Sequence, residues 1–177
     1  MVLGSGMLVN DAVNKVWLAW QADVISRDLL DFLFVMTAVV FNLQVIGVYV
    51  SSKNGRMKIA RRFGVMMLFL AFPLAIVFAG YYMMGEEIWS MIGLSVIFLY
   101  LLVELVLDFI LKIEFRKMPL LHIPYIILFY VVQAALIGIA FSIDTVWGWL
   151  VSITFWALLA ALVYSLWPRK QEAIWGE

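Results

Sequence analysis

The sequence predicts an all-α integral membrane protein, with five transmembrane helices preceded by an interfacial amphipathic helix, the N-terminus outside and the C-terminus cytoplasmic. Three observations predict it. Of the 177 residues 66% are hydrophobic and 14% are charged, and the mean hydropathy is +1.05. A soluble domain carries about 25% charged residues, so this chain cannot cover itself against water and lipid must be its main solvent. Five apolar stretches reach the roughly 20 residues that a helix needs to cross the hydrocarbon core. The loops between these stretches alternate between basic and acidic.

The five stretches are Leu29–Val50, Phe63–Met84, Ile88–Leu111, Ile123–Phe141 and Thr145–Trp167. Each is bounded by residues that stop a helix or require water. Ser-Ser-Lys-Asn-Gly-Arg separates the first two, Gly-Glu-Glu the next pair, and Arg-Lys-Met-Pro ends the third. Ser-Ile-Asp turns the fourth into the fifth, which Pro168 closes. Pro73 lies inside the second stretch, removes one backbone donor and predicts a kink. Three regions follow: an N-terminal segment 1–28, a transmembrane domain 29–167 and a cytoplasmic tail 168–177. In the first, Val9, Val13, Trp17 and Trp20 recur at helical spacing opposite Asn10, Asp11, Asn14 and Lys15. That pattern is too polar to cross and predicts a helix lying in the interface. Residues 1–6 read as an appended leader ahead of Met7, without the charge, apolar core and small-residue order of a signal peptide.

Loop charge sets the predicted orientation. The first loop carries Lys53, Arg56, Lys58, Arg61 and Arg62 and no acid. The third carries Lys112, Arg116 and Lys117 against Glu114, and the tail opens with Arg169 and Lys170. The second and fourth carry only Glu86, Glu87 and Asp144. The positive-inside rule places the basic loops in the cytoplasm and the chain in a plasma (cytoplasmic) membrane. Trp17, Trp20, Trp89, Trp147 and Trp149 then share the outer boundary, where an aromatic belt is expected.

The third stretch holds the least ordinary residues, Glu104 and Asp108. In an α-helix they share one face, with Tyr100 a turn before and Lys112 a turn after. Glu104 falls about 7 Å from the bilayer midplane and Asp108 about 13 Å. An ionised acid in hydrocarbon costs at least about 2.5 kcal/mol, so Glu104 must face protein, water or a cation, or be protonated. Matching depth names Asn42, Gln44 and Gln133 as its neighbours, and Arg61, Arg62 and Lys112 as ion-pair partners for Asp108. A polar cluster inside the bundle is therefore expected. It reads either as an ion or proton site or as structural cross-links.

Small residues recur every fourth position: Ala71, Ala75 and Ala79; Ala134, Gly138 and Ser142; Ala157, Ala161 and Ser165. Such ridges let helices approach closely and predict a compact bundle, mostly by internal packing, with at least one face left for a partner. The ten methionines read as core filling rather than a soft-metal site, because adjacent methionines such as Met66 and Met67 point to different faces. Asp28 and Asp31 beside Arg27 form a D-x-x-D at the opposite end from Glu104, so these four acids cannot make one metal centre.

Zero net charge predicts no nucleic-acid partner, and without cysteine there is no thiolate site. His122 is the only histidine and cannot build a multi-histidine site. No cofactor or metal is expected. The leading expectation is a non-enzymatic subunit or accessory component of an oligomer or larger membrane complex, in contact with membrane lipids and with copies of itself or another membrane protein. The alternative is a small cation- or proton-coupled transporter or channel using Glu104 and Asp108. A third is a binder of lipid or a hydrophobic small molecule.

Overall fold

A computed structural model describes residues 26–111 and 119–167, with no side chain described at 108, 109 and 119–122. The predicted interfacial helix, Lys112 and the tail 168–177 lie outside the described residues. Every described element is a helix: α1 (Arg27–Lys53), α2 (Met57–Phe69), α3 (Ala71–Met84), α4 (Ile88–Glu104), a π-helical segment (Leu105–Ile110), α5 (Pro119–Ile143) and α6 (Thr145–Leu166). Five helical stretches are long and apolar enough to cross a membrane, the second being α2 and α3 together. This is a membrane-embedded helical bundle.

Local chemistry places the boundaries. Ser26 caps α1, its hydroxyl accepting from the Leu29 amide at 3.3 Å. Asp144 caps α6 by accepting from Val146 N at 2.7 Å. Gly85 ends α3 in the left-handed region at φ 71°, which a side chain rarely adopts. The predicted kink is a break at Leu70, three residues before Pro73. Proline has no amide hydrogen for the Phe69 carbonyl, and its ring crowds that carbonyl, so α2 stops there and α3 restarts at Ala71.

The third span departs from expectation. It was expected to stay α-helical to Leu111, yet α-winding ends at Glu104 and a π segment follows. Leu111 N reaches the Val106 carbonyl at 2.8 Å, the i→i+5 bond of a wide turn. The shared face inferred for Glu104 and Asp108 assumed α-winding, which does not continue between them.

α1 is the central helix. Half of its apolar stretch is buried, against 22–33% for the other four spans. It packs against α2, α3, α5 and α6, while α4 bridges α3 and α5 on the far side. Leu30, Phe34, Thr37, Phe41 and Gln44 form one buried stripe along α1, and Val35, Ala38 and Asn42 a second. Leu29, Phe32, Met36, Val40 and Leu43 form its exposed stripe, while the buried stripes carry polar residues into the interior.

Glycines, rather than the alanine ridges, make the close approaches. A Cβ on Gly80 would collide with the fully buried Leu30, and one on Gly148 with the Phe141 ring. At Gly93 it would stand 2.8 Å from Ile139, and at Gly47 2.9 Å from Phe63. Of the predicted ridges, Ala161 is buried and Ala71 half-buried, but Ala75, Ala79, Ala134, Gly138 and Ala157 turn away from the core. Internal packing therefore accounts for little of that pattern. Methionine as core filler fares similarly, since Met67 is buried while Met66, Met83 and Met84 lie on the bundle surface.

These placements separate two glycines by experiment. Gly80→Ala should cost about 1–3 kcal/mol through overpacking against Leu30. Gly138→Ala, which meets nothing within 4 Å, should be neutral or slightly stabilising. Detergent unfolding of both variants reads the difference, and equal losses would contradict this packing.

Candidate functional site: a buried carboxylate and its tyrosines

Glu104 ends α4 at 3% exposure, and Tyr100 one turn earlier at 2%. Both face α5, because α4 lies against it through the Gly93–Ile139 contact and the Tyr100–Phe129 ring pair, whose centroids are 5.9 Å apart. On α5 the residue opposite Glu104 is Tyr125. Its hydroxyl donates to Glu104 Oε2 at 2.6 Å, and the Tyr100 and Tyr125 hydroxyl oxygens are 2.8 Å apart. Tyr125 has one hydrogen and gives it to the carboxylate, so Tyr100 must be the donor in the second bond. Three oxygens thus form a directed chain, Tyr100 to Tyr125 to Glu104. Phe41 of α1 closes the other side of Tyr100 with an edge-on contact at 5.8 Å.

The amides named by depth are all buried: Asn42 fully, Gln44 at 7% and Gln133 at 1% exposure. They do not share one hydrogen-bond network. Asn42 Nδ2 donates to Thr154 Oγ1 at 2.8 Å, and Thr154 passes its hydrogen to the Val151 carbonyl, tying α1 to α6. Among the described residues Asn42 Oδ1, Gln44 Oε1 and both amide atoms of Gln133 find no partner. Leaving such an atom bare costs about 1–3 kcal/mol.

Two of these orphans bracket Tyr100. Gln44 stands three residues, about 4.5 Å, beyond Phe41 toward the Lys53 end of the bundle. Gln133 stands four residues, about 6 Å, beyond Phe129 toward the Arg27 end. Both Phe41 and Phe129 touch the Tyr100 ring. The helix stripes therefore set one unpaired amide on each side of the tyrosine along the membrane normal.

The expected ion-pair partners of Asp108 divide. Arg61 and Arg62 are exposed and form no ion pair among the described residues, while the Asp108 side chain and Lys112 lie outside them.

A second polar group closes the Arg27 end. Arg27 binds Glu86 at 2.6 Å and stands 3.9 Å from Asp31, and Tyr81 donates to Asp31 at 2.6 Å. Together with Ser90 and Ser142 these residues line a small cavity of about 70 Å³. Asp31 of the expected D-x-x-D takes part, whereas Asp28 is exposed. At the other end Lys53 donates to the Trp167 carbonyl and lies 5.6 Å from the Tyr164 ring, fastening α1 to α6.

Sequence reading missed Tyr125, Thr154, Tyr81 and Glu86 as members of these groups. Tyr125 begins a span and so reads as an interfacial anchor. The signal that finds it is depth: it enters α5 at the level where α4 places Glu104. No family model matches the chain, and no curated protein or solved structure matches it either.

Tyr125→Phe removes the donor to a buried carboxylate and should cost about 1–3 kcal/mol. Tyr100→Phe, which breaks the outer bond of the same chain, should couple to it. A double-mutant cycle by detergent unfolding is expected to return a coupling of at least about 0.5 kcal/mol. Additive losses would mean that the three oxygens do not act as one chain.

Proposed function

We propose that this chain is a non-enzymatic membrane protein that takes up a proton or small cation at an internal site centred on Glu104, as a small transporter or channel. One observation carries the reading. The most deeply buried acid among the described residues accepts from the Tyr125 hydroxyl, which in turn meets Tyr100, in an interior that also holds amide atoms without a described partner. Intramembrane acids so placed mark ion and proton pathways. The abrupt π-winding after Glu104 adds to this, since wide turns inside helices concentrate at functional sites. A purely structural cross-link would be better served by partners that leave no buried amide unpaired.

A second reading, that the protein is a subunit of an oligomer or larger complex, draws on a different observation. Ala75 and Ala79 on α3, Ala134 and Gly138 on α5, and Ala157 on α6 turn outward at the spacing that favours close helix approach in lipid. The two readings are compatible, because small transporters commonly assemble. In either case the basic first loop faces the cytoplasm of a plasma membrane, where it meets anionic headgroups.

Proteoliposomes with an imposed pH or cation gradient test the first reading. Wild-type protein should dissipate the gradient, Glu104→Gln should abolish the flux, and Ala75→Leu should leave it intact. Absence of wild-type flux, or its survival in Glu104→Gln, would remove transport from consideration. Native mass spectrometry of Gly138→Leu tests the second reading, with loss of an oligomer or of a co-purifying partner expected. Orientation follows from single cysteines introduced into a chain that has none. A cysteine at Lys58 should label from the cytoplasm and one at Glu87 from outside.

A further inference from the structure

We infer that the outward stripe from Lys58 to Phe72 is a binding site for one anionic phospholipid. Lys58 and Arg62 hold its phosphate, and an acyl chain lies along Val65, Phe69 and Phe72. The inference is independent of whether Glu104 conducts. It goes beyond a diffuse attraction of the first loop to headgroups by assigning one ligand to named side chains.

Helical winding builds the stripe. Lys58, Arg62, Val65 and Phe69 follow one another at spacings of four, three and four residues along α2, and so share one face. All four lie on the bundle surface, whereas Ala60 and Met67 on the opposite face are buried. Arg61 and Met66 flank the stripe on either side and are exposed as well. The break at Leu70 does not interrupt it. Phe69 and Phe72 are both exposed and stack across the break, their ring centroids 6.3 Å apart. One ridge of the molecule therefore carries cations at its loop end and bare apolar side chains beneath them.

The dimensions suit a lipid. The second span covers Met57–Met84, and the hydrocarbon core takes only about 20 residues of helix. With the apolar run Phe63–Met84 filling the core, Met57–Arg62 stand in the headgroup layer of one leaflet. Phe72 then lies about 15 Å below Arg62, half the thickness of the core and the depth that one acyl chain reaches.

Charge selects which lipid. No acid occurs in the sequence between Asp31 and Glu86. Arg56, Lys58, Arg61 and Arg62 form no ion pair among the described residues. Lys58 and Arg62 stand one turn apart, where like charges repel. A phosphate between them replaces that repulsion with charge-assisted hydrogen bonds, and the planar Arg62 guanidinium can meet two of its oxygens at once. A zwitterionic headgroup brings a cation of its own into this basic surrounding, and an anionic one does not. Lys53 is outside the site, because it is engaged with the Trp167 carbonyl and the Tyr164 ring.

Native mass spectrometry of delipidated protein in detergent tests the inference. The protein is titrated with phosphatidylglycerol, or with phosphatidylcholine of the same chains, at about 0.15 M ionic strength. Wild-type protein should retain one phosphatidylglycerol in preference to phosphatidylcholine. Arg62→Gln should weaken that binding about fivefold, and Lys58→Gln with Arg62→Gln roughly 30-fold, from the worth of each cation at the headgroup level. Arg56→Gln removes the same charge off the stripe, at the N-cap of α2. It should change binding by less than about twofold, since charges beyond ~8 Å are screened at this ionic strength. Glycerol phosphate, an anion without chains, should not displace the lipid. Equal affinity for the two lipids, or equal losses in Arg56→Gln and Arg62→Gln, would overturn the inference and leave only diffuse attraction. Displacement by glycerol phosphate would overturn it in favour of a site for free anions. The lipid preference and the glycerol phosphate competition use wild-type protein alone and decide the matter even if a variant misfolds.

Discussion

Lipid offers no hydrogen bonds, and every polar group inside the bundle must be satisfied by the protein or by something the protein admits. That constraint acts most strongly on α1, which packs against four other helices and carries Thr37, Asn42 and Gln44 in its buried stripes. Thr37 settles its hydroxyl on the Leu33 carbonyl one turn back. Asn42 satisfies half its amide by reaching Thr154 across to α6. Gln44 and Gln133 are not settled by the described side chains. The interior thus divides into contacts that close the bundle and polar capacity that the bundle leaves open. The open part lies on α1 and α5, at Asn42, Gln44 and Gln133.

The same constraint explains why the two ends differ. At the Arg27 end the charges meet one another: Arg27 lies between Asp31 and Glu86, and Tyr81 donates to the other carboxylate oxygen of Asp31. That group draws on α1, α3 and the turn before α4, and behaves as a fastening. Nearer the Lys53 end the buried Glu104 accepts from the Tyr125 hydroxyl, which meets that of Tyr100.

Much of the architecture was legible because it depends on properties that add along the chain. Spans follow from the length of apolar runs, and the break near Pro73 follows from one missing donor. Burial of Glu104, Gln44 and Gln133 follows from the cost of the alternative. What was not legible depends on which helix lies beside which. Gly80 matters because Leu30, fifty residues earlier, fills the space above it, and Gly148 because Phe141 does. Ala75 and Gly138 carry the same small-residue pattern and touch nothing inside the bundle. Spacing alone cannot separate a ridge that packs inward from one that faces lipid. Tyr125 escaped for a related reason: a tyrosine at the start of a span is ordinary until a carboxylate is found opposite.

The wide turn between Leu105 and Ile110 also bears on what lengths of chain this helix tolerates. A π-turn absorbs one surplus residue without disturbing the α-helix ahead of it. Were the same residues wound as α instead, the chain beyond them would leave rotated by about 100°. The direction in which Leu111 leaves the helix is therefore set by that wide winding rather than by the hydrophobic run in which it hides.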